Sequence, residues 1–228
     1  MRIATFNCNS VRTRLNIILK WISENDPDVL CLQETKTIDK DFPADAFTKI
    51  GYYPFFRGEK AYNGVAILSR IKPSKVSFGF ADGKQRDETR LAQAQINSIY
   101  IVNTYVPQGR LITHEMYQYK LNWFKRLKEY FASHFSPDNK VVWLGDLNIA
   151  PENIDIHNAE KQANHVCFHI DARNAFNEVI AWGFIDIFRK YHKGPGHYTF
   201  FDYRIIDAVK KNMGWRCLLY TSPSPRDS

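Results

Sequence analysis

Apolar residues recur along this chain in two alternating periods, and the alternation predicts its architecture. The opening RIATFN is a short β run, after which Val11, Leu15, Ile18, Leu19 and Ile22 fall three or four apart, the stripe of an amphipathic helix. NDPD ends that helix, and VLCLQ (29–33) is a compact apolar strand. Turn residues separate further strand candidates at 52–57, 65–69, 74–80 and 90–96, and SIYIVNTYV (98–106) is another. The longest helix candidate, 114–135, carries Tyr117, Leu121, Phe124, Leu127 and Phe131 on one face. KVVWLGD (140–146) is a buried strand, and a helix over 172–182 carries Phe176, Val179 and Ile180. Strands grouped between helices predict an α/β protein with layered sheets. No fixed-period repeat and no internal linker interrupts the pattern, so one domain is expected.

Composition narrows the class. The 228 residues are 44% hydrophobic and 24% charged, a globular rather than disordered balance. Lysine and arginine number 31 against 24 acidic residues, so the chain carries +7, which is compatible with a polyanionic partner without demanding one. The four cysteines form no CxxC pair, which argues against a zinc ribbon or a disulfide framework. Met1 leads directly into a strand rather than a signal peptide, and no apolar run reaches membrane-spanning length. These features predict a cytoplasmic, bacterial-type intracellular protein with no membrane contact, acting as a monomer.

Candidate chemistry sits at strand ends, on loops that a rigid sheet would hold. Asn7 and Asn9 follow the first strand, Glu34 follows VLCLQ, Tyr105 closes its strand in YVPQG, and Asp146 and Asn148 follow VVWLG. Each also has a purely structural reading: Asp-x-Asn after glycine is an ordinary turn, Glu34 can cap the next turn, and Tyr105 can be a core aromatic. Together they suggest an oxygen-lined Mg²⁺ site completed by substrate phosphate. No GxxxxGK[ST] loop and no HExxH is present, which argues against nucleotide-fuelled and zinc-protease chemistry.

The ordered set TFNCNS, QETK, YVPQG, GDLNIAP, DIHN, WGFIDIFR, YTFFDYR and GWR resembles the exonuclease III type abasic-site endonucleases of the endonuclease/exonuclease/phosphatase superfamily, from Met1 to Arg216. The resemblance implies a four-layer α/β sandwich of two mixed β-sheets flanked by helices, here with its last strands missing. It implies Mg²⁺-dependent hydrolysis, with Mn²⁺ as a substitute, of double-stranded DNA 5′ to abasic sites, and removal of nucleotides or blocking groups at 3′ ends. By position, Glu34 resembles the metal ligand, with Asn7 and Asn9 beside it. Asp146 resembles the residue that activates or positions the attacking water, Asn148 orients it, and Tyr105 contacts the phosphate. Lys36, Gln108 and Arg110 resemble DNA contacts. Phe200 and Trp215 resemble the walls of the abasic-sugar pocket, although core packing would explain them equally well. The DIHN segment, 155–158, resembles structural support for the site.

The resemblance stops at Arg216. Relatives continue GWR with an apolar residue, Asp and a strand, and later carry Ser-Asp-His; here Cys217 and Leu218 stand at the first two places. The final TSPSPRDS, with three serines and two prolines, is expected to supply no sheet strand. Residues 1–216 therefore read as an incomplete catalytic domain and 217–228 as a tail foreign to it, with little activity in this chain. Two other functions remain open: a phosphoesterase of the same superfamily acting on phospholipid or inositol phosphate, and a non-catalytic DNA-binding protein.

Overall fold

The computed structural model describes residues 1–83, 87–202 and 205–223. Tyr203 and Arg204 of the YTFFDYR motif and residues 224–228 of the tail lie outside them. The chain is an α/β protein, as the pattern predicts, with two mixed sheets flanked by helices, as the resemblance implies, and it divides into two compact units.

The first unit comprises residues 1–105 and 140–146. It opens with β1 (Ile3–Asn7), α1 (Val11–Asn25), β2 (Val29–Gln33), α2 (Ala44–Thr48), β3 (Tyr53–Arg57) and β4 (Val65–Ser69). Their sheet runs β1-β2-β4-β3, with β1 parallel to β2 and the other pairs antiparallel. Strands β5 (Lys75–Phe78), β6 (Leu91–Ile96), β7 (Ile99–Tyr105) and β8 (Lys140–Asp146) follow one another in the second sheet, and only β7 and β8 pair in parallel. Ser10 caps α1, whose Val11, Ile18 and Ile22 pack on Leu30, Leu32, Ala66 and Leu68.

Strands β2 and β4 are buried along their whole length, because α1 covers one face and β6, β7 and β8 cover the other. This explains why VLCLQ is an unbroken apolar run rather than an alternating one. One polar pair crosses the apolar layer: the fully buried Asn103 amide of β7 donates to Leu32 O (3.0 Å) and Ala66 O (2.9 Å), and Gln33 Nε2 donates to Asn103 Oδ1 at 2.6 Å.

The second unit holds residues 106–139 and those from 147 on. It contains α3 (Glu115–His134), α4 (Ile170–Ile180), β9 (Phe184–Asp186), α5 (Ile187–Tyr191), β10 (Phe200–Phe201), β11 (Gly214–Trp215) and β12 (Leu218–Pro223). Phe124 of α3 meets Phe176 of α4 edge-on, and Phe131 packs on Phe184. Helix α4 begins two residues before its expected start because the His169 ring accepts from Asp171 N. The buried face of α3 includes Lys120, which the apolar stripe does not reveal, while Leu121 is only half-buried.

The tail requires a correction. The final TSPSPRDS was expected to supply no strand, yet its first three residues, within β12, pair antiparallel with β9 in the register Thr221↔Asp186, Ser222↔Ile185, Pro223↔Phe184. Cys217 and Leu219 are buried. The Ser/Pro composition hides an apolar Leu218-Leu219 start, and Pro223 occupies the last position of the strand, where a missing N–H costs least.

Asn103→Ala removes three hydrogen bonds from a dry interface and is expected to lower unfolding stability by about 3 kcal/mol. Urea denaturation reads this as a fallen midpoint at unchanged slope; an unaltered midpoint would show that the polar crossing carries no stability.

Candidate active site

Parallel pairing brings the chemistry together in the first unit. Strands β1 and β2 run side by side and end at Asn7 opposite Gln33, so Glu34 emerges next to Asn7. Strands β7 and β8 likewise end with Tyr105 opposite Asp146. That second pair approaches closely only because residue 145 is glycine: its φ is 130°, and a Cβ would lie 2.1 Å from Thr104 O. Glu34 itself adopts a left-handed φ of 52°, held by Ser10 N donating to its carbonyl at 2.7 Å.

The central contact is made by Asn7. Its Nδ2 donates to Glu34 Oε1 at 2.8 Å and to Asp146 Oδ2 at 2.7 Å, tying two carboxylates to one amide nitrogen. Its Oδ1 accepts from Asn9 N at 3.1 Å. The remaining Glu34 oxygen, Oε2, pairs with Lys36 Nζ at 2.7 Å, and the same ammonium donates to Asn9 Oδ1. Asn7, Asn9, Glu34, Lys36, Tyr105 and Asp146 thus form one cluster.

Electrostatics assign protonation states. Burial pushes the Glu34 pKa up, but hydrogen bonds from Asn7 and Lys36 and the Lys36 charge outweigh it, leaving the carboxyl below its usual range and ionised at neutral pH. Burial, followed by the charges of Glu34 and Asp146, pushes Tyr105 far up, so its phenol remains a donor. The Arg90 guanidinium lies 5.0 Å from the centre of the Tyr105 ring and donates to Tyr105 O at 3.2 Å, fixing the ring's position.

The cluster's chemistry suits a hard cation. Glu34 Oε2 and Asn9 Oδ1 already converge on one positive charge, the Lys36 ammonium, and oxygen-only donors favour Mg²⁺-like ions over zinc. Among the described residues, no group of three or more His, Cys, Asp or Glu side chains gathers, so amides must complete any such seat. Asn7 turns its nitrogen toward the carboxylates and its Oδ1 toward Asn9 N.

The other candidates lie in the second unit. Asn148, at φ 48°, donates from Nδ2 to Val106 O at 2.9 Å. Gln108 and Arg110 are exposed on one loop, where Gln108 Oε1 accepts from Arg110 N at 3.2 Å. A residue the sequence reasoning missed ties these loops together: buried Lys120 donates to Gln108 O (3.3 Å), Asn148 O (2.7 Å) and Val166 O (2.8 Å). A lysine inside the apolar stripe of α3, three residues from Tyr117, was the available signal.

Phe200 and Trp215 face each other across β10 and β11 with ring centres 5.7 Å apart, and they line a cavity of about 320 Å³ with His157, Lys161, Asp202 and Met213. Phe200 is exposed, which separates it from ordinary core aromatics. Asp155 of DIHN is fully buried and accepts from both Arg189 and Arg216, and Ile156 bridges to Trp215, so this segment braces the cavity wall.

Comparison with known proteins places the chain in a family. Residues 4–216 match the endonuclease/exonuclease/phosphatase family. The chain is 29% identical over 219 residues to the DNA-(apurinic or apyrimidinic site) endonuclease of Dictyostelium discoideum, covering 95% of this chain and 60% of that protein's length. Among solved structures, an AP endonuclease from Archaeoglobus fulgidus is 48% identical with a TM-score of 0.95, over 98% of this chain and 86% of that one. The 3′ phosphatase NExo from Neisseria, bound to a product DNA hairpin, is 33% identical with a TM-score of 0.89, over 98% and 86%.

Burial, assisted by the Lys120 charge, pushes His165 down to about 4 in the folded protein, against about 6.5 in an unfolded chain. The unfolded state therefore binds the proton first, and this site's contribution is complete above about pH 6.5 and lost as pH falls toward 4. Thermal melts across that window should show a decline that is shallower in His165→Gln; parallel declines would remove His165 from the acid response.

Proposed function

Because the chain belongs to the endonuclease/exonuclease/phosphatase family, we propose that it is a DNA-repair phosphodiesterase, an enzyme that incises double-stranded DNA 5′ to abasic sites and trims nucleotides or blocking groups from 3′ ends. The observation that carries this reading is the single Asn7 amide shared by Glu34 and Asp146, which gathers acidic groups from separated strands at one point. Names of similar proteins support it: apurinic or apyrimidinic endonuclease, AP endonuclease and a 3′ phosphatase on a DNA hairpin.

In this mechanism Asp146, buried and hydrogen-bonded, takes the proton of the attacking water, and Asn148 orients that water. Tyr105, kept protonated by burial and by its acidic neighbours, donates to a phosphate oxygen. Glu34, with Asn7 and Asn9 beside it, would hold Mg²⁺, with Mn²⁺ as a substitute; such an ion would neutralise charge developing on the phosphate and leaving oxygen. Exposed Gln108 and Arg110, with Lys36 and the chain's +7 charge, hold the DNA backbone. The cavity between Phe200 and Trp215 receives the extrahelical sugar, whose extrusion costs least where no base is stacked.

We further infer a monomer in a reducing intracellular compartment, consistent with four free, buried cysteines. Among the described residues no helix is long and apolar enough to cross a membrane.

A duplex carrying one tetrahydrofuran abasic analogue, incubated with enzyme in excess, should be nicked 5′ to the analogue only with Mg²⁺. Asp146→Asn and Glu34→Gln should each slow nicking by roughly 10²–10⁴-fold. Cleavage indifferent to both substitutions would overturn the reading, and equally tight binding in EDTA without cleavage would favour a DNA-binding protein instead.

A further inference from the structure

Lys36 occupies an unusual place. Its ammonium lies on the two oxygens, Glu34 Oε2 and Asn9 Oδ1, that a divalent ion would need. Its backbone leaves it little choice: φ is 51°, Lys36 N donates to Asn63 O at 3.0 Å, and Thr35 N donates to Gly64 O at 3.2 Å. Residue 64 must be glycine for this loop contact, since a Cβ there would lie 2.0 Å from Thr35 Oγ1. Positive φ at Asn9 and Ser10, and again at Glu34 and Lys36, holds both oxygens and the lysine stem in fixed relation. Strained backbone of this kind persists only where its surroundings over-determine it.

We propose that Lys36 is a tethered counter-ion that holds the metal seat until a divalent cation displaces it, after which its ammonium turns to a DNA phosphate. The inference rests on the metal-dependent reading of this cluster and goes beyond it by assigning one residue to both states.

Three physical arguments support it. An ammonium 2.7 Å from Glu34 Oε2 and a divalent ion on that same oxygen repel one another at short range, so binding one favours release of the other. Lysine is suited to such exchange: its charge is compact and strongly hydrated, and its four-carbon stem lets the head move without the backbone. The side chain is also partly solvent-exposed, at 29%, so the released head can turn toward solvent. Until displaced, the ammonium offsets the repulsion between Glu34 and Asp146, both of which are bound to Asn7 Nδ2.

Two measurements without turnover test this. Mn²⁺ titration followed by electron paramagnetic resonance, on the DNA-free chain, should show at least about tenfold tighter binding in Lys36→Met than in wild type, because the competitor is gone, while Glu34→Gln should abolish binding. The salt dependence of duplex binding should steepen for wild type on passing from EDTA to Ca²⁺, by roughly 0.9 in the log–log slope, the value of one new phosphate contact. In Lys36→Met it should not change. A thermal melt within a few degrees of wild type confirms that the variant is folded. Equal or weaker Mn²⁺ affinity in Lys36→Met overturns the inference while leaving the nuclease reading intact, as does Mn²⁺ binding by none of the proteins if metal-dependent nicking persists. Tighter Mn²⁺ binding in a chain that nicks no abasic duplex keeps the displacement and overturns the nuclease.

Discussion

Two carboxylates held on one amide nitrogen are the contact on which the candidate site depends. Like charges this close repel, and each would drift toward solvent or take up a proton without compensation. Asn7 supplies a neutral donor to both, and Lys36 supplies the opposing charge on the outer oxygen of Glu34. The arrangement works only if β1, β2 and β8 end at the same level. Parallel pairing of β1 with β2 and of β7 with β8 sets those ends, and Gly145 lets β8 reach its end without a clash. The site is thus a consequence of strand register rather than of any one loop.

Beneath it, polar groups fix that register. Asn103 and Gln33 are fully buried and hydrogen-bonded to one another in the layer between the two sheets. Sliding one sheet on the other would leave these amides unpaired in a dry layer, at a cost of roughly one to three kcal/mol for each group. The second unit uses a charged version of the same device. Asp155 accepts from Arg189 and Arg216, and Arg216 also reaches Asp186, so α5, β9 and the residue after β11 are joined through two carboxylates. Neutralising a buried pair from one side leaves an uncompensated charge, which makes such a node intolerant of single changes.

These constraints bear on chemistry. Tyr105 remains protonated because it is buried beside acidic neighbours, and Glu34 remains ionised because its neighbours are donors, so one cluster presents both a hydrogen-bond donor and an anionic oxygen at neutral pH. Phosphodiester hydrolysis calls for that division of roles. The left-handed backbone at Asn9, Glu34, Lys36 and Asn148 places the polar residues of strand ends where ordinary turns would not.

Much of this was present in the linear order of residues. Periodicity located the strands now called β1 to β8 and the helices α1 and α3 to within a residue or two, because burial on a helix face or between sheets imposes those periods. The motifs at strand ends single out Asn7, Glu34, Tyr105 and Asp146 without reference to any contact. Three things needed tertiary structure. Lys120 looks like a flaw in an apolar stripe until three carbonyls from distant loops are seen to surround it. The tail looks like a Ser/Pro tract until β9 offers it a partner, since pairing depends on an open neighbour as much as on composition. The bond from Asn7 to Asp146 spans 139 residues, and no local rule can supply a distance across such a separation. Local chemistry determined which side chains could act; only the closing of the sheets decided which of them meet.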